Sequence, residues 1–130
     1  MMTILFVCVQ NSGRSQMAEA FLNELAAGKV KVISAGTEPA RDVEPIVVKV
    51  MREVGIDISY RKPKGLTLEM IEQADRVIKM GCGVEGICPA NFVVTEDWGI
   101  EDPKGKSLEE VREIRGQIQA RVLKLLEEIP

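Results

Sequence analysis

Thr3-Ile4-Leu5-Phe6-Val7-Cys8 runs directly into Val9-Gln10-Asn11-Ser12-Gly13-Arg14-Ser15, and the reading of this junction decides the fold. The first six residues are apolar or β-branched without interruption, as expected of a central parallel strand covered on both faces. Gln10 to Gly13 cannot extend it. Beyond them Met17, Ala20, Phe21 and Leu25 fall at helical spacing, and Gly28 stands where a helix C-cap is expected. The order is strand, polar loop, helix.

The same alternation continues outward. Val30 to Ser34 reads as a second strand ending at Ala35-Gly36-Thr37, and Pro45 to Val54 as a helix stopped by Gly55. Leu66 to Ala74 is expected as a short helix, and Arg76 to Met80 and Phe92 to Thr95 as strands. Ser107 and Glu110 form a capping box ahead of a last helix, whose Val111, Ile114, Ile118, Val122, Leu125 and Leu126 repeat with a period near 3.6. These elements predict an α/β fold: a doubly wound, four-stranded parallel sheet with helices on both faces, in one domain over residues 1–130.

Composition narrows the chemistry. A formal net charge of -3 and an aromatic content of 4% offer neither a basic field nor a stacking surface, so nucleic acid is not expected as a partner. The apolar runs are too short to cross a bilayer, which leads us to expect no membrane association and a cytoplasmic protein. There is no histidine, which removes the usual general base and the commonest metal ligand. Three cysteines, Cys8, Cys82 and Cys88, fit a zinc site poorly and suit catalytic or redox work better than a permanent disulfide framework.

In doubly wound sheets ligands bind beyond the carboxyl ends of the strands, and Cys8 is placed where the first strand ends. The next helix is expected to start near Arg14, so its unpaired N–H groups and positive dipole end point into the loop Val9, Gln10, Asn11, Ser12, Gly13, Arg14, Ser15. That end and Arg14 favour a thiolate, the nucleophilic form of cysteine, without any histidine. Arg14 presents a planar fork suited to two oxygens of a tetrahedral oxyanion, and Gly13 is expected to let the backbone turn its amides inward. A Cys-x5-Arg string is weak alone; its context after a buried strand gives it weight over the alternative, an inert buried Cys8.

With Cys8-Val-Gln-Asn-Ser-Gly-Arg14-Ser15-Gln16-Met17-Ala18-Glu19, the chain resembles the low-molecular-weight tyrosine phosphatase superfamily, and specifically its arsenate reductase branch. The resemblance extends through Ser34-Ala35-Gly36-Thr37, Gly55-Ile56-Asp57-Ile58-Ser59, the pair Cys82 and Cys88, and Trp98 to Lys106. It implies that Asp102, held beside Pro103, is the general acid for the departing oxygen; an exposed Asp-Pro turn is the plainer alternative. Phosphatases of the superfamily usually carry aromatics after that pair. Here Lys104 and Gly105 follow, which favours a small inorganic oxyanion over a phenol.

Cys82 and Cys88 follow the Arg76 to Met80 strand, whose carboxyl end should face the rim that carries Cys8; Gly81, Gly83 and Gly86 would allow movement there. By the resemblance, Cys8 attacks arsenate, Cys82 attacks Cys8 to release arsenite, and Cys88 takes up the disulfide, which thioredoxin reduces. Phosphate and sulfate would compete as oxyanions. A core role for Cys82 and Cys88 is the alternative. Some members bind potassium near the loop, and Asn11, Glu19 and Ser34 match that site, although Gly65 stands where an acidic ligand is expected. Gly13 replaces a Cys that many members carry, and one residue fewer separates the last two cysteines. No tightly bound cofactor is expected, and a monomer is. A phosphatase and a non-enzymatic oxyanion or thiol sensor are the competing functions.

Overall fold

The computed structural model describes residues 1–81 and 94–129. The described residues form four strands, β1 (Thr3–Cys8), β2 (Lys31–Gly36), β3 (Arg76–Lys79) and β4 (Val94–Asp97), and four helices, α1 (Arg14–Ala26), α2 (Pro45–Arg52), α3 (Leu68–Gln73) and α4 (Leu108–Glu128), in the order β1-α1-β2-α2-α3-β3-β4-α4. All strand pairs are parallel, in the order β2-β1-β3-β4. β1 is therefore central, and the chain leaves it first to one neighbour and later to the other. The crevice at its carboxyl end is the switch point at which ligands of such sheets sit.

Both faces of β1 are covered, which explains its unbroken apolar sequence. Ile4, Phe6 and Cys8 join the main core with Met17, Phe21 and Leu22 of α1, Val47 and Val50 of α2, and the Val111, Ile114, Ile118, Val122, Leu125 stripe of α4. Leu5 and Val7 pack on the other side with Val77 of β3 and Ile71 of α3. The expected four-stranded sheet with helices on both faces is what forms, with three helices on one face and α3 on the other.

Several boundaries differ from the sequence expectation for local reasons. β2 extends to Gly36, which pairs with Cys8. α2 stops at Arg52, because the amides of Gly55 and Ile56 fold back onto the carbonyls of Arg52 and Met51 around a Gly55 with φ of 83°. α3 starts only after Thr67, whose hydroxyl accepts from the amide of Met70. β4 continues to Asp97, whereas Phe92 and Val93 lie outside the described residues. In α1 the left-handed cap is Ala27, one residue before Gly28, and Leu25 is exposed while Leu22 takes the core position. The capping box of α4 forms as expected, from Ser107 and Glu110.

Candidate active site

The loop after β1 is held from behind by its carbonyl oxygens. Those of Cys8, Val9, Gln10 and Ser12 accept from the amides of Thr37, Glu38, Ala40 and Glu44 at 2.8 to 3.2 Å, along the segment that follows β2. The Asn11 carbonyl accepts from Gln16 Nε2, and that of Gly13 from the Met17 amide. With every carbonyl from Cys8 to Gly13 engaged, the amides are left for the interior of the loop. Among the described residues, those of Val9, Gln10, Ser12 and Gly13 donate to no protein group. α1 begins at Arg14 with no side-chain cap, so its N-terminal donors add to the same concavity.

Close approach makes this wiring possible. A Cβ on Gly36 would lie 2.6 Å from the Val9 carbonyl oxygen and 2.9 Å from the Asn11 nitrogen, so only glycine lets β2 end against the loop. The left-handed residue of the turn is Asn11, with φ of 52°, and Gly13 has a negative φ of -143°. Gly13 stands at the boundary where the chain turns from the loop into α1, with a ψ of -88°. Its lack of a side chain serves packing: a Cβ there would meet Pro103 Cγ at 2.8 Å.

Cys8 is buried, as a free thiol whose Sγ receives the Asn11 amide at 3.2 Å and lies 2.8 Å from Ser15 Oγ. The direction of the second bond follows from Asn11. The Lys64 amide can only donate, and it does so to Asn11 Oδ1 at 2.8 Å, which fixes the orientation of the side-chain amide. Asn11 Nδ2 then donates to Ser15 Oγ at 2.7 Å and to Ser34 Oγ at 3.0 Å. The Ser15 hydrogen is left to point at sulfur, and the Ser34 hydrogen at Glu19 Oε1, 2.5 Å away. Two donors therefore converge on Sγ, the arrangement a thiolate requires.

Arg14 is buried at the other side of the loop, donating through one guanidinium nitrogen to the Ile100 carbonyl at 2.9 Å. A Cβ on Gly81 would stand 2.6 Å from both that nitrogen and that oxygen. Ile100 is itself tied to β3 through its amide, which donates to the Met80 carbonyl at 2.7 Å. Asp102 follows two residues later, exposed, with Oδ1 accepting from the Lys104 amide at 3.0 Å. Cys82 and Cys88 lie outside the described residues.

Glu19, Ser34 and Asn11, the matches to a potassium site, do meet in one network. Glu19 is buried and bonded by Ser34, by Arg61 at 2.5 Å, and approached by Lys64 at 3.8 Å. Arg61 and Lys64 carry no motif in the sequence, Gln16 and Gly36 stand there only as parts of longer motifs, and Gly81 is expected there to allow movement, not to make room for Arg14. The cation cluster Arg61-Lys62-Pro63-Lys64 in a net acidic chain was the available signal.

Amides turned inward around a doubly hydrogen-bonded cysteine, at the switch point of a parallel sheet, define an α/β protein with an anion cradle built on a thiol. The chain belongs to the low molecular weight phosphotyrosine protein phosphatase family, whose model matches residues 3–130. It is 44% identical to the glutaredoxin arsenate reductase of Synechocystis sp. over 99% of each chain. A solved arsenate reductase in its phosphate-binding state superposes with a TM-score of 0.87 at 44% identity, with both chains fully covered. The Corynebacterium glutamicum thioredoxin-dependent arsenate reductase gives 0.85 at 38% identity, covering 99% of this chain and 62% of that one. Among the described residues no helix is long and apolar enough to cross a membrane.

Proposed function

We propose that this single-domain protein is an arsenate reductase that works through three thiols. The observation that carries the reading is the loop from Cys8 to Gly13, with its carbonyls bonded outside and its amides free inside around a sulfur that already receives two donors. Val9 to Ser15 would hold three oxygens of arsenate, and Arg14 would turn its fork onto two of them. The Cys8 thiolate attacks arsenic, a hydroxyl departs, and Asp102 protonates it to water.

The covalent adduct is then reduced by thiol chemistry. Cys82 attacks Cys8 Sγ, the S–As bond breaks with its electron pair moving to arsenic, and arsenite leaves as the Cys8–Cys82 disulfide forms. Cys88 attacks Cys82, freeing Cys8 and leaving a Cys82–Cys88 disulfide. An external dithiol protein, thioredoxin, reduces it. The Corynebacterium relative supports thioredoxin, and the Synechocystis relative gives a specific reason to test glutaredoxin beside it.

A coupled assay tests the relay: arsenate-dependent NADPH consumption with thioredoxin and its reductase, or with glutaredoxin and glutathione, for wild type and Cys88→Ser. The variant should lose about a hundredfold or more in turnover, since its last disulfide exchange has no thiol. Equal rates would sink the relay. Mass mapping after one turnover should find Cys82 linked to Cys88.

The second reading is a phosphatase, favoured by the family itself and by the phosphate-bound relative. The same cradle accepts phosphate, and Asp102 could protonate an alkoxide. Rapid aryl phosphate hydrolysis without any reductant would favour it. The Lys104-Gly105 pair after Pro103 and the 4% aromatic content argue for the smaller substrate.

A further inference from the structure

Glu19 sits at 7% exposure, four bonds behind the sulfur: Cys8 to Ser15, Ser15 to Asn11, Asn11 to Ser34, Ser34 to Glu19. A buried carboxylate needs a cation, and in this chain the cation is part of the protein. Arg61 donates to Glu19 Oε2 at 2.5 Å with its side chain only 17% exposed, and the Lys64 ammonium stands 3.8 Å from Oε1. One anion already faces two cations. Asn11 Oδ1 is filled by the Lys64 amide and by Gln16, and Ser34 Oγ accepts from Asn11 while donating to Glu19. Gln16 Oε1 is the one buried side-chain oxygen left without a partner among the described residues, and it is uncharged.

A potassium ion would therefore arrive at a site of net positive charge whose oxygens are in use, and the residues do not fit it. Gly65 adds nothing, having no side chain to offer in place of an acidic ligand. We infer that Arg61 is a built-in counter-cation that takes the place of a bound monovalent ion and acts as a positioning residue for Cys8. By pairing with Glu19 Oε2 and fixing the orientation of the carboxylate, it directs the Ser34 hydrogen toward Glu19 Oε1. Ser34 Oγ is thereby fixed as acceptor for Asn11 Nδ2, whose other hydrogen holds Ser15 as a donor to sulfur. The order of donation along this chain runs one way, set by the Lys64 amide at one point and by Arg61 at its far end.

The test compares wild type, Arg61→Gln and Arg61→Lys in potassium, sodium and choline chloride at equal ionic strength. Two readouts are independent of arsenate chemistry: the thermal midpoint, and the rate at which iodoacetamide alkylates Cys8, followed on the Cys8 peptide by mass spectrometry. Wild type should melt within about 1 °C in all three salts, as a protein with no ion site does. Arg61→Gln keeps much of the side-chain bulk but not the charge, and should melt about 10 °C lower and alkylate about fivefold more slowly. Arg61→Lys should recover most of both.

Potassium-specific stabilisation of wild type by several degrees would overturn the inference, because the site would then take the ion. So would wild-type alkylation by Arg61→Gln, or a failure of Arg61→Lys to recover. If Arg61→Gln does not fold, the salt comparison on wild type and the Arg61→Lys alkylation rate decide. None of these outcomes depends on whether arsenate is the substrate.

Discussion

The cradle and the Asp102 loop meet at the same rim but are held in opposite ways. Between Cys8 and Gly13 every carbonyl is bonded, Asn11 uses both ends of its side chain, and the residues from Asn11 to Leu22 are all buried. From Ile100 to Lys106 the loop reaches the cradle through Pro103 against Gly13 and through the Ile100 carbonyl on Arg14. Asp102 itself is exposed and bonded to its own turn. In the proposed mechanism the part assigned to the anion is fixed before binding, whereas the part assigned to proton transfer hangs from two anchors. Preorganisation lowers the cost of charge development in the first, and freedom to adjust suits the second.

That contrast predicts a separation of effects. Asp102→Asn keeps an oxygen to accept from the Lys104 amide, so the loop should hold its shape. Turnover should fall by about a hundredfold or more through loss of the proton. Phosphate affinity, measured by competition, should stay within about threefold, because the cradle is untouched. A variant with unimpaired turnover would remove Asp102 from the chemistry and leave it as the exposed turn its surroundings show.

Gly13→Ala strikes the seam between the two regions. Its Cβ would need the space of Pro103 Cγ, 2.8 Å away, and a proline ring can yield only if the chain beside Asp102 moves with it. We expect turnover to drop by about tenfold while stability changes by about 1 kcal/mol or less, the displacement being taken up by the loosely anchored loop. A loss of phosphate binding equal to the loss of turnover would show that the cradle had moved instead, and that the two regions are one mechanical unit.

How far each region was legible in the sequence follows from the same contrast. The strand, the polar loop and the helix after it are local, and β1, the start of α1 and the capping box at Ser107 could be read from adjacent residues. The position of Cys8 at a switch point followed from strand and helix order alone. What could not be read was the wiring that joins distant segments: Lys64 to Asn11, Arg61 to Glu19, Gly81 beneath Arg14, and the Thr37 to Glu44 amides on the loop carbonyls. A glycine such as Gly13 reads as a turn residue, and here it also leaves room for Pro103, a residue far along the chain that no local pattern reveals.

The smallest expected effect concerns the brace behind the cradle. The Glu44 amide holds the Ser12 carbonyl at the entry to α2, and at the other end of that helix Glu53 is gripped by Arg112 and Arg115 of α4. The Arg112 hydrogen bonds, with those of Arg115, lower the Glu53 carboxyl from its ordinary 4.5 to about 2. A folded-state value below the unfolded one means that this clamp stabilises the fold above pH 4.5 and that its contribution disappears as pH falls toward 2. Glu53→Gln should therefore melt slightly below wild type at pH 7, with the gap closing on acidification. The carboxylate is exposed and screened, so the gap should also shrink in high salt. Phosphate affinity should not follow it at pH 7, since the cradle is fixed by its own bonds; if it does, the rigidity attributed to the loop is borrowed from α2.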